Sequence, residues 1–200
     1  NVKVRFGHWK DTGVRLMGPG VANMTEMFLQ MWEYTTEETV SDRKRYMPTI
    51  VRDGDGYVQP FYDSPLDDRN VGETVFMHII NRAQRYVYIT TPYLILDNEM
   101  ITALTTAAQS GIDVRIMTPG IPDKKLVYRV TRSYYLQLRR AGVKIYEYRP
   151  GFLHAKMIVS DDDVAVVGTM NMDFRSFSCI LSAVPCCMAV RPSRKFEMIL

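Results

Sequence analysis

The most regular alternation of apolar and polar positions begins after residue 71. Residues 73–85 repeat apolar side chains at helical spacing, with Phe76, Ile79, Ile80 and Ala83 on one side and His78, Asn81, Arg82 and Arg85 on the other. Residues 86–91 form a β-branched and aromatic run that stops at Pro92, which predicts a strand. Asn98 is placed to cap a helix reaching Ser110, with Ile101, Leu104 and Ala108 inward and Gly111 closing it. A strand over 112–117 follows. Asp123 then caps a long helix to Ala141, with an apolar stripe of Val127, Val130, Tyr134, Leu138 and Ala141, and residues 143–148 read as a strand. Strands alternating with helices imply right-handed crossovers. The expected class is α/β, a mostly parallel mixed sheet with helices on both faces.

Upstream the pattern is weaker. Residues 2–16 alternate enough for two short strands around a turn, and Gly18, Pro19 and Gly20 break the chain. Residues 24–32 then predict a helix with Met27, Phe28, Met31 and Trp32 turned to the core. Residues 35–59 are polar, and Asp53 to Gly56 punctuate them without the later ligands of a calcium loop. Arg43, Lys44 and Arg45 form the one dense basic run there, read as a solvated loop or as a contact for anionic headgroups. A strand is expected over 58–62 and a polar connection over 64–70.

The stretch that carries chemistry is residues 153–175, LHAKMIVSDDDVAVVGTMNMDFR. Read as a strand, it puts His154 and Lys156 on one face and Leu153, Ala155, Met157 and Val159 on the other. Ser160, Asp161 and Asp162 supply turn chemistry, residues 164–167 a second strand, and Gly168 a further turn. Thr169 and Asn171 share parity and can return to the face of His154 and Lys156. An imidazole can attack phosphorus and hold a covalent intermediate. Lysine and asparagine can stabilise charge on the non-bridging phosphate oxygens. Asp161, at a strand end, is expected to pair with a cation or cap backbone amides rather than touch substrate. Thr90, Thr91 and Tyr93 end a strand of the predicted sheet, where ligands of such sheets bind, and are candidates for the substrate cleft or for a core role at the strand end.

Composition narrows the reading. The chain has 200 residues, 46% of them hydrophobic, enough for one substantial core. A net charge of +3 is too small to imply a nucleic-acid partner. No apolar run approaches the length of a membrane span, and the opening at Asn1, in mid-element, reads as a fragment.

With its spacing H-x-K-x4-D-x6-G-x2-N, the stretch resembles the histidine–lysine–aspartate motif of the phospholipase D superfamily. Residues 8–21 (HWKDTGVRLMGPGV), 88–94 (YITTPYL) and 152–177 are similar to the C-terminal half of bacterial cardiolipin synthases. The resemblance implies a catalytic set of His154, Lys156 and Asp161, with phosphate held by Lys156, Thr169 and Asn171. It implies no metal and no cofactor. It further implies phosphatidyl transfer between two phosphatidylglycerol molecules through a phosphohistidine, giving cardiolipin and glycerol. That cycle needs two histidines. The chain carries one motif: at His8-x-Lys10 the later positions hold Arg15, Ala22 and Thr25. The expected partners are therefore phosphatidylglycerol, a membrane lipid surface, and a missing N-terminal half or second copy of the chain, with no nucleic acid. Residues 1–71 would end the first catalytic half, 72–177 form the second, and 178–200 an atypical tail, frame-shifted or truncated. That tail holds all three cysteines, Cys179, Cys186 and Cys187, and puts Ser182 where the family has a glutamate that orients the histidine. The expected location is the cell membrane, with spanning segments upstream. A phospholipase D-like phosphodiesterase or nuclease, and an inactive half-domain, are the alternatives.

Overall fold

The computed structural model describes residues 4–49, 56–62, 70–173 and 186–190. In chain order these form helix α1 (Gly20–Thr36), strand β1 (Gly56–Pro60), helix α2 (Val71–Arg82), strands β2 (Tyr86–Thr90) and β3 (Leu94–Ile95), and helix α3 (Asn98–Gln109). Strand β4 (Asp113–Pro119), helices α4 (Lys125–Ser133) and α5 (Tyr135–Arg140), and strand β5 (Lys144–Tyr148) follow. Strands β6 (Met157–Ser160), β7 (Val164–Val167), β8 (Met172–Asp173) and β9 (Cys186–Val190) complete the series. The expectations for Asp53 to Asp55, Cys179 and Ser182 fall outside the described residues.

Seven strands make one sheet in the order β1-β9-β7-β6-β2-β4-β5. Strands β2, β4 and β5 are parallel, joined by crossovers through α3 and through α4 and α5. The β6–β7 hairpin enters antiparallel beside β2, and β9 and β1 extend it antiparallel. This is the mixed α/β sheet expected, with its parallel strands grouped at one side. The two crossovers step the same way across the sheet, so right-handedness puts α3 and α5 on the same face. There Val87, Ile89, Val114, Ile116, Ile158 and Val166 pack with Phe76, Ile80, Met100, Leu104 and Leu138 in one buried cluster.

Helix α1 lies on the opposite face. The register carries Val58 of β1 through β9, β7 and β6 onto the face of Val159 and Tyr88, opposite Val87 and Ile89. Gly20, at the start of α1, sits so close to Val58 that a Cβ there would come within 3.2 Å of the valine Cβ. Beyond the reach of α1, no described helix covers this second face over β2, β4 and β5.

Several local expectations change. Residues 4–16 contain no strand: a 3-10 turn at Val4–Phe6 leads into isolated bridges of Gly7 with Gly151 and Lys10 with Leu153. Only Leu29 of α1 is buried, whereas Phe28 and Trp32 are 59% and 47% exposed, their rings 6.1 Å apart. Among the described residues the helix packs mainly against the β1 edge and the Arg43–Tyr46 turn. Arg43 of the basic run bridges Glu26 and Glu33 of α1, while Lys44 and Arg45 remain exposed. The long helix after Asp123 is two helices, broken at Tyr134, and the Asp123 carboxylate accepts the Tyr93 hydroxyl at 2.6 Å instead of capping.

Helix α3 starts one residue earlier than its expected cap implies. Asp97, not Asn98, is the N-cap, and its carboxylate accepts the Met100 N–H at 2.8 Å. Asp97→Ala is expected to cost about 1 kcal/mol in urea unfolding, with Asn98→Ala near zero; the reverse order would return the cap to Asn98.

Asp161 organises the hairpin end. With Asp162 it adopts positive φ (56° and 63°), a conformation that aspartate tolerates better than most residues. Its carboxylate takes the backbone N–H groups of Gln84, Arg85 and Tyr86 at 2.7, 2.9 and 2.9 Å, clasping the start of β2. Burial pushes this carboxyl up, but the three N–H donors outweigh it and hold the group below the usual range. Its contribution is therefore complete above the unfolded carboxylate pKa and lost as pH falls through the lower folded value. Asp161→Ala is expected to lose on the order of 2 kcal/mol at pH 7. The gap to wild type should close below about pH 4, as the wild-type carboxylate protonates. A gap independent of pH would assign the loss to the turn backbone instead.

Candidate active site

Strand β6 runs antiparallel to β2, pairing Met157 with Thr90. The residues just before Met157 therefore sit beyond the carboxyl end of β2, where open α/β sheets place ligands. Strand β7 ends at the same edge, since Val167 pairs with Met157, and the Gly168 N–H donates to the Lys156 carbonyl at 3.2 Å. Residues 154, 156, 169 and 171 are thus gathered at one end of the sheet.

Residues 153–156 are not part of the strand, as the sequence reading had them. They keep its alternation: Leu153 and Ala155 are buried, His154 and Lys156 half-buried. At Met157 the parity inverts, and Ile158 and Ser160 turn into the core in place of Met157 and Val159. The inversion comes where the chain leaves one pairing partner for another. Before Met157 it is held by residues 6–10, and from Met157 by β2.

That first pairing is specific. The Phe152 N–H donates to Phe6 O (2.9 Å), the Lys10 N–H to Phe152 O (2.9 Å), and the Lys10 carbonyl accepts both His154 N–H (2.7 Å) and Ala155 N–H (3.1 Å). Gly151 is required by the closeness of the two segments, because a Cβ there would lie 2.2 Å from the His8 carbonyl oxygen. Trp9 packs 4.6 Å from the Phe152 ring and 5.4 Å from the His154 imidazole.

The ladder also delivers Asp11. Its Oδ2 lies 2.9 Å from His154 Nδ1, and its Oδ1 accepts the Thr12 N–H at 3.1 Å. Partial burial pushes the Asp11 carboxyl up, but the His154 hydrogen bond, the Thr12 N–H and the charge of Lys156 together hold it low. The Lys156 ammonium donates to the His154 carbonyl. Burial lowers Lys156 to about 8, with Asp11 opposing the shift. Of the expected residues, His154 and Lys156 form this cluster, while Thr169 and Asn171 lie at the same sheet end, exposed and half-buried respectively. Asp161 lies at the far end of β6, on the amides of residues 84–86.

The three cleft candidates separate. Thr91 donates to the Tyr93 carbonyl and accepts the Met172 N–H, tying β2 to β8, and the Tyr93 hydroxyl is held by Asp123. Thr90 is buried, and its hydroxyl has no hydrogen-bond partner among the described residues. It lines a cavity of about 180 Å³ on the open sheet face, with Tyr88, Arg115, Met117, Tyr146 and Met157. The His8 imidazole is engaged with the Tyr148 hydroxyl at 2.6 Å. Among the described residues no cluster of three or more His, Cys, Asp or Glu side chains could hold a metal ion, and no helix is long and apolar enough to cross a membrane.

Asp11 is the site residue the sequence reading missed. Its only sequence signal is its position in the HWKDT stretch; nothing in that stretch says which residue it meets.

The family model described as cardiolipin synthase, PLD-like domain matches residues 76–184, more than half of the chain. The sequence is 52% identical over 177 residues to a protein of Streptococcus mutans, covering 86% of this chain and 37% of that one. It is 42% identical over 173 residues to a cardiolipin synthase of Alkalihalophilus pseudofirmus, covering 86% of this chain and 34% of that one. The chain thus spans little more than a third of the length of these curated relatives. The phospholipase D family member Nuc of Salmonella typhimurium superimposes with a TM-score of 0.54 at 16% identity, over 68% of this chain and 85% of that one, a likeness of fold. The His-x-Lys cluster at the carboxyl end of the sheet therefore sits in a chain that belongs to the cardiolipin synthase PLD-like domain family.

Proposed function

We propose that this chain supplies one catalytic half of a phosphatidyltransferase that forms cardiolipin from two phosphatidylglycerol molecules. The observation that carries the reading is the placement of two half-buried side chains, His154 and Lys156, at the carboxyl end of the sheet, with the Lys156 ammonium donating to the His154 backbone carbonyl. In the cycle, an imidazole nitrogen attacks phosphorus, a nitrogen–phosphorus bond forms, and the bond to glycerol oxygen breaks as a second imidazole gives that oxygen a proton. The hydroxyl of a second phosphatidylglycerol then loses its proton to the second imidazole and attacks phosphorus, releasing the first. His154 takes one of these two roles. The other histidine comes from an upstream half or from a second copy of the chain.

Lys156, Thr169 and Asn171 would hold the non-bridging oxygens, where positioned donors contribute most of the rate. Asp161 would act only by fixing the β6–β7 hairpin that carries them. Thr90 would meet substrate through the apolar cavity it lines, and Thr91 and Tyr93 would hold the strand end in place. We place the catalytic unit at residues 72–177, with residues 1–71 ending the preceding half and also completing the site through the ladder at residues 6–11. The substrate being a lipid, the unit would work at a membrane surface.

In the transferase that contains this chain, His154→Ala is expected to lower cardiolipin formation from phosphatidylglycerol vesicles by at least about 10²-fold, with unchanged circular dichroism. Wild-type turnover in that variant would defeat the assignment. Lys156 gives a second test. Its ammonium form binds phosphate, and burial has brought its pKa to about 8. The proton is lost as pH rises, so kcat/KM should fall above about pH 8. Lys156→Arg, which stays charged, should remove that limb from whatever activity it retains. A limb that survives in the arginine variant belongs to another group.

A further inference from the structure

We infer that the outer side of α4 and α5 is a docking surface for a bilayer of anionic phospholipid. The inference rests on the reading of the substrate as a lipid, and names the side of the molecule that meets it. Residues 124–140 carry six Lys and Arg and no Asp or Glu, in a chain whose net charge is +3. Within them Leu126 and Leu136 are 74% and 61% exposed, and Val130 is exposed too. The two helices join at Tyr134, whose backbone stays in the right-handed helical region (φ −76°, ψ −19°). Helical spacing therefore carries across the join, and puts Leu126, Arg129, Val130, Leu136 and Arg140 on one side. Thr131 and Leu138, on the other side, are buried.

The chemistry of this side fits a membrane interface. Large apolar groups can enter the boundary between headgroups and acyl chains, while cations beside them stay with the phosphates. Among the described residues Lys125, Arg129 and Arg140 have no ion pair that would neutralise them, and Arg132 is drawn to Glu147 at 3.7 Å. A nucleic acid would use the cations and leave the leucines in water. A protein partner would want the charges at the rim, whereas Arg129 sits between Leu126 and Val130. The surface also begins at the catalytic edge. Helix α4 follows the carboxyl end of β4, Lys124 Nζ lies 5.5 Å from the centroid of the Tyr93 ring, and the Leu94 N–H donates to Thr131 Oγ1 at 3.1 Å. Tyr93 and Leu94 follow β2 at the end of the sheet where His154 and Lys156 lie. A bilayer held on α4 and α5 would therefore border that edge.

The test uses the purified 200-residue chain and vesicles of phosphatidylcholine, alone or mixed equally with phosphatidylglycerol. Co-sedimentation should show binding to the mixed vesicles that weakens as salt is raised. Arg129→Gln with Arg140→Gln is expected to weaken it about 30-fold. Leu126→Gln with Leu136→Gln should weaken it about 10-fold. All four side chains are exposed, so circular dichroism should not change. Lys44→Gln with Arg45→Gln, the same loss of charge at another exposed place, should leave binding nearly unchanged. Equal losses in the two charge variants would make the attraction one of net charge and overturn the surface, as would a wild-type chain that ignores the mixed vesicles. Tighter binding to a single-stranded DNA oligonucleotide, lost in the arginine variant but kept in the leucine variant, would overturn the lipid assignment. Vesicle binding lost in both α4–α5 variants, together with full turnover of the transferase carrying His154→Ala, would keep the surface and overturn the catalytic reading instead.

Discussion

The carbonyl oxygen of Lys10 accepts two N–H groups, those of His154 and Ala155, and the position of the imidazole depends on this one acceptor. Residues 153–156 lie outside the sheet, so no strand partner fixes them. Backbone donors that close to a core must be paired, and the pairing available is with residues 6–10. From it follow the half-burial of His154 and Lys156, the turning of Leu153 and Ala155 inward, and the delivery of Asp11 to the ring. Gly7 and Gly151 make the approach possible, since at both positions a Cβ would collide with backbone oxygen at 2.4 Å or less.

The sheet supplies the rest of the frame. Parallel strands β2, β4 and β5 point their carboxyl ends at one edge, and the antiparallel hairpin returns His154, Lys156 and residues 168–171 to that edge. The two ends of the hairpin have different work. At one end Asp161 joins the hairpin to the start of β2 through three backbone donors, and at the other lie His154 and Lys156. An aspartate that spacing groups with His154 and Lys156 is thereby some four residues of strand away from them.

The residues 6–11 ladder also bears on how the chain divides. The sequence pattern changes near residue 71, from a weakly patterned N-terminal stretch to a regular α/β alternation. The backbone bonds of residues 6, 8 and 10 cross that point, and with them the carboxylate on His154. The site is in this sense shared between the two stretches. Helix α1, which follows the ladder, meets the second sheet face at Val58 of β1, and among the described residues the Thr90 cavity is lined by β2, β4, β5 and β6.

By itself the sequence determined the alternation of strands and helices after residue 71, the inward residues Phe76, Ile79, Ile80 and Leu104, and the His154–Lys156 pair with its turn and hairpin. These follow from local periodicity and from turn chemistry, which short-range sterics and burial impose on neighbouring residues. Tertiary structure alone decided the rest. Asp11 meets His154 across 143 positions of sequence, and no local pattern encodes a contact of that range. The inward–outward alternation inverts at Met157 because different backbone partners hold residues 153–156 and strand β6. Phe28 and Trp32 have the spacing of core residues but face outward, because a helical pattern states which residues share a side and not what lies against that side. Asp97 displaced Asn98 as cap because both residues can cap, and only the backbone geometry at residue 97 put a carboxylate within reach of the Met100 N–H.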